Sequence, residues 1–94
     1  MSNYIPHYTK RLTIFRKKRD HLHRLISRGG EKAKLLRAAD EVRLAKIRAV
    51  GAQRPPNFGP DDWDEASKWA KGIRDRISAL EKMTPEAALV EFGQ

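Results

Sequence analysis

Apolar residues recur at helical spacing in three long stretches of this chain, and this periodicity constrains the fold more than any other feature. Within residues 9–28, 31–50 and 61–80 they return every three or four positions, as on the buried side of an α-helix. No stretch shows the alternation of apolar and polar residues that is typical of a half-buried strand. The sequence therefore predicts an all-α fold.

Glycine and proline divide the chain into segments. Gly29 and Gly30 end the first predicted helix, because glycine accepts the left-handed conformation found at helix C-termini. Thr84 followed by Pro85 marks the start of a short fourth helix. The predicted segments are an arm over residues 1–8, a helical hairpin over 9–50, a Pro- and Gly-rich loop over 51–60 and a second helical hairpin over 61–94.

We expect these segments to form one domain, a small bundle of three long helices and a short C-terminal helix. The 94 residues suffice for a single domain with a modest core. Because the connection at Gly29 and Gly30 is short, the first two helices should form an antiparallel hairpin. The apolar residues of the second helix cover more than half of its circumference, so we expect it to contact two neighbours. Whether the C-terminal helices close on the first hairpin is left open.

The third helix carries both tryptophans of the chain. Asp61 or Asp62 is its predicted N-cap, and Gly72 within it suggests close packing at that point. Trp63 and Trp69 lie at the two edges of its apolar side, where packing in the core is the most common role. Binding a partner protein is the second interpretation, because tryptophan is frequent at interaction hot spots. Stacking on nucleic-acid bases is disfavoured in this acidic part of the chain.

Charge is distributed unevenly along the sequence. Residues 1–54 contain 15 Lys and Arg and 4 Asp and Glu, a net of +11, whereas residues 55–94 contain 5 and 8, a net of −3. The sign changes at the loop over 51–60, so the two predicted hairpins differ in charge. A basic region of this density attracts nucleic acid, acidic protein or anionic membrane without needing a pocket.

Part of the positive charge forms a line on the first helix. Four residues, spaced 7, 7 and 4 apart, fall opposite its apolar side; we call them the basic stripe, which consists of Lys10, Lys17, Arg24 and Arg28. The predicted phosphate-binding set also includes Arg16, Lys18, Lys32 and Lys34. A solvated helix face is the ordinary explanation of such a run, but the large excess of positive charge favours contact with a nucleic-acid backbone. That contact would carry no base specificity.

Three other basic residues interrupt apolar helix sides. Arg19 stands where the first helix favours an apolar residue, so it extends past the core edge, pairs with an acid such as Asp40 or Glu41, or faces a partner. Arg43 and Lys46 interrupt the second helix in the same way. Because they point toward packed faces, these residues are not counted as phosphate ligands. As a group, they also favour a protein interface on part of this surface.

No pattern in the sequence indicates catalysis, a metal or a cofactor. Cysteine is absent, which excludes a disulfide framework and a thiolate zinc site. On a helix, His21 and His23 point about 160° apart, unlike the i, i+4 pair that binds zinc, and His7 is distant in sequence. We therefore expect a non-enzymatic protein. The lack of a signal peptide and of an apolar run of ~20 residues predicts a cytoplasmic protein with no membrane association.

Two functions from different classes fit these observations. The leading hypothesis is a protein that contacts nucleic-acid phosphates as a small subunit of a nucleoprotein complex. The alternative is an adaptor or inhibitor that docks its basic face on an acidic or nucleic-acid-binding surface of a larger protein. A homodimer with alternating basic and acidic ends is a third arrangement. A helix-turn-helix is disfavoured, because that motif joins its helices at near right angles through a three- or four-residue turn.

Overall fold

The computed structural model describes residues 7–94, which fold into four α-helices. They are α1 (His7–Ser27), α2 (Lys32–Gly51), α3 (Trp63–Lys82) and α4 (Pro85–Phe92). The described residues contain no strand, so the all-α prediction is confirmed. Because α1 begins earlier than predicted, His7 and Tyr8 are helical and do not belong to an arm. The rest of the predicted arm, residues 1–6, lies outside the described residues.

α1 ends in a turn that requires glycine. The φ angle of Gly29 is 70°, in the left-handed region that side chains with a β-carbon rarely adopt. The amide of Gly30 donates to the carbonyl of Leu25 at 3.0 Å, and the amide of Gly29 donates to the carbonyl of Ile26 at 3.1 Å. These two hydrogen bonds form a Schellman motif, which satisfies carbonyl groups left free at a helix end. The predicted helix end at this glycine pair is confirmed.

α1 and α2 pack extensively against each other. The cross-helix contacts run in opposite order along the two helices. Early in α1, the ring of Phe15 lies 4.7 Å from the ammonium of Lys46, near the end of α2. Further along α1, the ammonium of Lys18 lies 3.5 Å from the carboxylate of Glu41, which is earlier in α2.

The core lies where α1, α2 and α4 meet. Leu22 of α1 and Val42 of α2 have 0% of their surface exposed. α2 contributes mostly alanine, whose small side chain lets the neighbouring helices approach closely. The buried residues of this cluster are Phe15 and Leu22 from α1, Ala38, Ala39, Val42 and Ala45 from α2, and Ala88 from α4. α4 therefore closes on the first helix pair, a point that the sequence left open.

α2 is the central helix of the fold. It contacts α1, α4 and α3, one neighbour more than the sequence predicted. The third neighbour is added at its C-terminus, where a β-carbon at Gly51 would lie 3.8 Å from Cδ1 of Ile77, an ordinary packing distance. Beside it, the guanidinium of Arg43 donates to the carbonyl of Leu80 at 3.2 Å. Leu80 is the buried residue of α3, so these contacts with α2 lie in the C-terminal half of α3.

The starts of α3 and α4 differ in how they are capped. Asp62 occupies the N-cap position of α3, but its carboxylate accepts a hydrogen bond from the amide of Gly59 at 2.8 Å. The predicted N-cap position at Asp62 is confirmed, but its side chain does not cap the helix, because the preceding turn uses that carboxylate. At α4, the hydroxyl of Thr84 accepts from the amide of Ala87 at 3.1 Å, and Pro85 is the first residue of the helix, as predicted.

The molecule is longer and thinner than a compact chain of this size. Its principal extents are 53 × 32 × 16 Å and its radius of gyration is 15.9 Å, compared with about 12 Å expected from the chain length. A thickness of 16 Å corresponds to about two layers of packed helices, whose axes lie about 8–10 Å apart. The outer helices α1, α3 and α4 therefore keep much of their surface in contact with solvent, whereas α2 is covered by all three of them.

Candidate nucleic-acid interface

The four residues of the basic stripe lie on the solvent side of α1. Lys10, Lys17 and Arg24 are exposed within the helix, and Arg28 is exposed just after it. Arg28 continues the line of the helix, because its amide still donates to the carbonyl of Arg24 at 3.1 Å. At a rise of 1.5 Å per residue, the stripe from Lys10 to Arg28 is about 27 Å long.

The cations of the stripe form no ion pair with the residues that the structure describes. Asp20 is the one acidic residue of α1, which carries seven Lys and Arg. The ion pairs found among residues 7–94 are Lys18 with Glu41, Arg43 with Asp40, Lys68 with Glu65 and Lys71 with Asp75. The positive charge of the stripe is thus not neutralised within the described part of the molecule.

A groove between α1 and α2 runs beside the stripe. It is open, has a volume of about 320 Å³ and is lined by His21, Leu25, Lys34, Arg37, Ala38 and Glu41. His21 lies within about 20° of Lys10 around α1, so it belongs to the same face as the stripe. His21 and Arg37 were not among the predicted residues of this site. Helical spacing could have identified both residues. His21 follows Lys17, and Arg37 follows Lys34, by about one helical turn, which places each pair on the same side of its helix.

The other predicted phosphate ligands are divided among three places on the molecule. Lys32 and Lys34 are exposed in the first turn of α2, across the glycine turn from Arg28. Arg16 is also exposed, but it lies about 100° from Lys17 around α1 and extends the positive surface on another side. Lys18 turns toward α2, where Glu41 partly neutralises it.

Arg19 packs against an aromatic ring. Its guanidinium carbon lies 5.5 Å from the centre of the Phe15 ring, and the ammonium of Lys46 lies 4.7 Å from the same centre. Cation–π attraction thus holds both cations at the edge of the core. The pairing of Arg19 with Asp40 or Glu41 that the sequence allowed does not occur in the described structure, and its buried Nε has no hydrogen-bond partner there.

Two polar contacts join helices and were not predicted. The guanidinium of Arg43 lies 2.8 Å from the carboxylate of Asp40, and it also donates to the carbonyl of Leu80 at the end of α3. The Nε2–H of His23 donates to the carbonyl of Phe92 at 2.7 Å and so ties α1 to the end of α4. These side chains hold the fold together and are not counted in the candidate interface.

The two tryptophans lie in different environments. Trp63 is 78% exposed, whereas Trp69 is half-buried. The expectation of core packing is therefore wrong for Trp63, because Trp63 is the first residue of α3 and lies away from the contacts that the C-terminal half of α3 makes with α2. Their role in binding a partner remains a prediction.

Two further features are absent from residues 7–94. These residues contain no group of three or more His, Cys, Asp or Glu side chains that could hold a metal ion. None of the helices formed by these residues has the length and apolar character needed to cross a membrane.

Comparisons of the chain with models of protein families, with curated proteins and with solved structures found no match. The fold and the surface nevertheless define a class of protein. It is a small all-α protein that presents a straight row of exposed cations on one helix.

Proposed function

We propose that this protein is a non-enzymatic component of a cytoplasmic nucleoprotein complex and that it contacts nucleic-acid phosphates through its first two helices, packed as an antiparallel hairpin. The basic stripe supplies the central contacts, and Lys32 and Lys34 extend them onto α2. One observation carries the proposal. The stripe is exposed along its whole length, and its cations make no ion pair with the described residues.

The length of the stripe suits a nucleic-acid backbone. Duplex DNA carries one negative charge per ~1.7 Å of axis, so a segment of about 27 Å presents about 16 charges. Each phosphate that a Lys or Arg neutralises releases condensed counterions, which favours binding. Because the stripe contacts the backbone and not the base edges, we expect similar affinity for duplexes of unrelated sequence.

Charge reversal on the stripe tests the proposal. We expect Lys17→Glu/Arg24→Glu to weaken binding to a duplex by about 100-fold at low salt, since it removes two phosphate contacts and adds repulsion. The matched control is Arg54→Glu/Lys82→Glu, which changes the net charge equally at exposed positions outside α1. Fluorescence anisotropy with labelled DNA and RNA duplexes measures both affinities. Equal weakening in the two variants would show that net charge, and not the stripe, drives binding.

The groove beside the stripe favours a second candidate function. Its walls include the apolar side chains of Leu25 and Ala38, and Lys34 and Arg37 provide positive charge. A groove with these properties fits an acidic, amphipathic protein segment, as expected of an adaptor or inhibitor. A pull-down from the native host with and without nuclease separates the two functions. Partners that survive nuclease treatment support the adaptor, and loss of all partners supports nucleic-acid binding.

A further inference from the structure

The outer side of α2 carries a second row of exposed cations. We call it the α2 row, and it consists of Lys34, Arg37 and Arg48. The three residues fall within about 60° of one another around the helix, and the row is about 21 Å long at a rise of 1.5 Å per residue. None of the three makes an ion pair with the residues that the structure describes. Their positive charge is therefore available to a ligand.

The α2 row and the basic stripe border the same groove. Lys34 and Arg37 line the groove on the α2 side, and His21, which shares the face of the stripe, lines it on the α1 side. Arg48 lies within about 20° of Arg37 around α2 and continues the row beyond the groove. Because packed helix axes lie about 8–10 Å apart, the two rows of cations run side by side at roughly that separation.

The other two helices meet the α1–α2 pair on different sides. α4 is tied to α1 through His23, which lies about 140° from Lys10 around the helix. α3 is joined to α2 at Arg43, which lies about 120° from Arg37 around the helix. The face that carries the two rows is thus turned away from these contacts with α3 and α4.

Acidic residues offset little of the positive charge on this face. Glu41 lies within the α2 row, but the ammonium of Lys18 is 3.5 Å from its carboxylate and compensates its charge. Asp20 lines a cleft on the side of α1 that faces α4, away from the groove. The face therefore stays positive along both helices.

We propose that the basic stripe and the α2 row contact phosphates of opposite strands, so that this face binds double-stranded nucleic acid across one of its grooves. The inference rests on the proposed function, and it adds Arg37 and Arg48 as phosphate ligands and a duplex as the preferred ligand. In B-DNA the minor groove is about 6 Å wide and the major groove about 12 Å wide, so a row separation of about 8–10 Å lies between the two. Long, flexible lysine and arginine side chains cover the difference.

A single strand offers a different pattern of charge. It has one line of phosphates, so it satisfies one row of cations at a time. We expect it to follow the basic stripe, which is the longer of the two rows. The α2 row should consequently contribute to duplex binding and contribute little to single-strand binding.

Neutralising the α2 row tests the inference. Arg37→Gln/Arg48→Gln removes two cations, and glutamine favours a helix about as well as arginine does. Affinity for a DNA duplex of about 20 base pairs should fall at least about tenfold at roughly 50 mM salt, and affinity for one of its strands should fall less than about threefold. The matched control is Arg74→Gln/Lys82→Gln, which removes the same charge at exposed positions of α3 and should leave the ratio of the two affinities unchanged.

The stripe variant distinguishes this inference from the proposed function. Lys17→Glu/Arg24→Glu should weaken binding to the duplex and to the single strand alike, because both ligands use the stripe. If it does so while Arg37→Gln/Arg48→Gln leaves the ratio of duplex to single-strand affinity unchanged, the two-row arrangement is overturned and the proposed function stands. If the unaltered protein binds neither ligand, both are overturned. Fluorescence anisotropy measures the affinities, and circular dichroism confirms that each variant keeps its helices.

Discussion

The backbone requires glycine at position 29 but not at position 72. Gly29 has a positive φ of 70°, which makes it the residue that closes the turn after α1. Gly72 lies inside α3, and a β-carbon at that position would meet nothing within 4 Å. The sequence suggested close packing at Gly72, but none occurs within the described chain. A glycine in a helical pattern does not by itself show whether another element approaches it.

Alanine substitutions at these two glycines should therefore have opposite effects. Gly29→Ala should lower the free energy of unfolding by about 1–2 kcal/mol, because the left-handed conformation strains an L-residue. Gly72→Ala should raise it by about 0.5–1 kcal/mol, since alanine favours the helix and has room for its side chain. Urea denaturation followed by circular dichroism measures both. A loss of stability in Gly72→Ala would show that its surroundings are tighter than the structure indicates.

Individual basic residues show how far the sequence could assign roles. Helical spacing correctly separated the exposed Lys17 and Arg24 from Arg19, which stands on the apolar side of α1. The contact that Arg19 makes was not predictable, because the position of the Phe15 ring relative to Arg19 and Lys46 depends on tertiary packing. Spacing along a helix thus predicts which way a side chain points, but not what it meets.

At the scale of the helices, periodicity predicted the elements well and their partners less well. The four helices begin and end close to the predicted positions, because Gly29, Gly30, Thr84 and Pro85 act through local backbone geometry. The apolar side of α3 was also recognised, yet Trp63 at its edge is exposed. Periodicity identifies the residues that share one face of a helix. Which other helix or loop packs against that face depends on the tertiary structure of the whole chain.

Arg43 of α2 joins two helices, so its replacement tests how α3 is attached. Arg43→Met keeps the apolar stem but removes the ion pair with Asp40 and the hydrogen bond to the carbonyl of Leu80. We expect a loss of about 1–2 kcal/mol in unfolding free energy, since the Arg43 side chain is only 16% exposed. Arg37→Met, at an exposed position of the same helix, is the control. Urea denaturation followed by tryptophan emission reports on α3 directly, and equal stability of the two variants would contradict this role.

At the scale of the whole molecule, the two charge regions are not two structural units. The change of sign at residues 51–60 was predictable from composition. Nevertheless, α4 of the acidic region contributes Ala88 to the core formed with α1 and α2. α2 is the shared element, because its apolar residues cover more than one side and it contacts all three other helices. Composition alone could not reveal this arrangement.

The fold leaves the basic stripe on an outer surface of the molecule. The core of α1 is formed by Phe15 and Leu22, and the stripe lies opposite these residues around the helix. The side of α1 that the stripe occupies is thus available to a large ligand such as a nucleic-acid duplex. This surface supports the central claim, that exposed cations on α1 contact phosphates.

The salt dependence of binding tests that claim most directly. If four to six cations contact phosphates, the logarithm of the association constant should fall against the logarithm of salt concentration with a slope of about −4 to −5. Affinity for a DNA duplex should then drop about 10²- to 10³-fold between roughly 50 and 200 mM salt. Lys17→Glu/Arg24→Glu should make this slope shallower by about 2. A slope near zero, or one that this variant leaves unchanged, would contradict the claim.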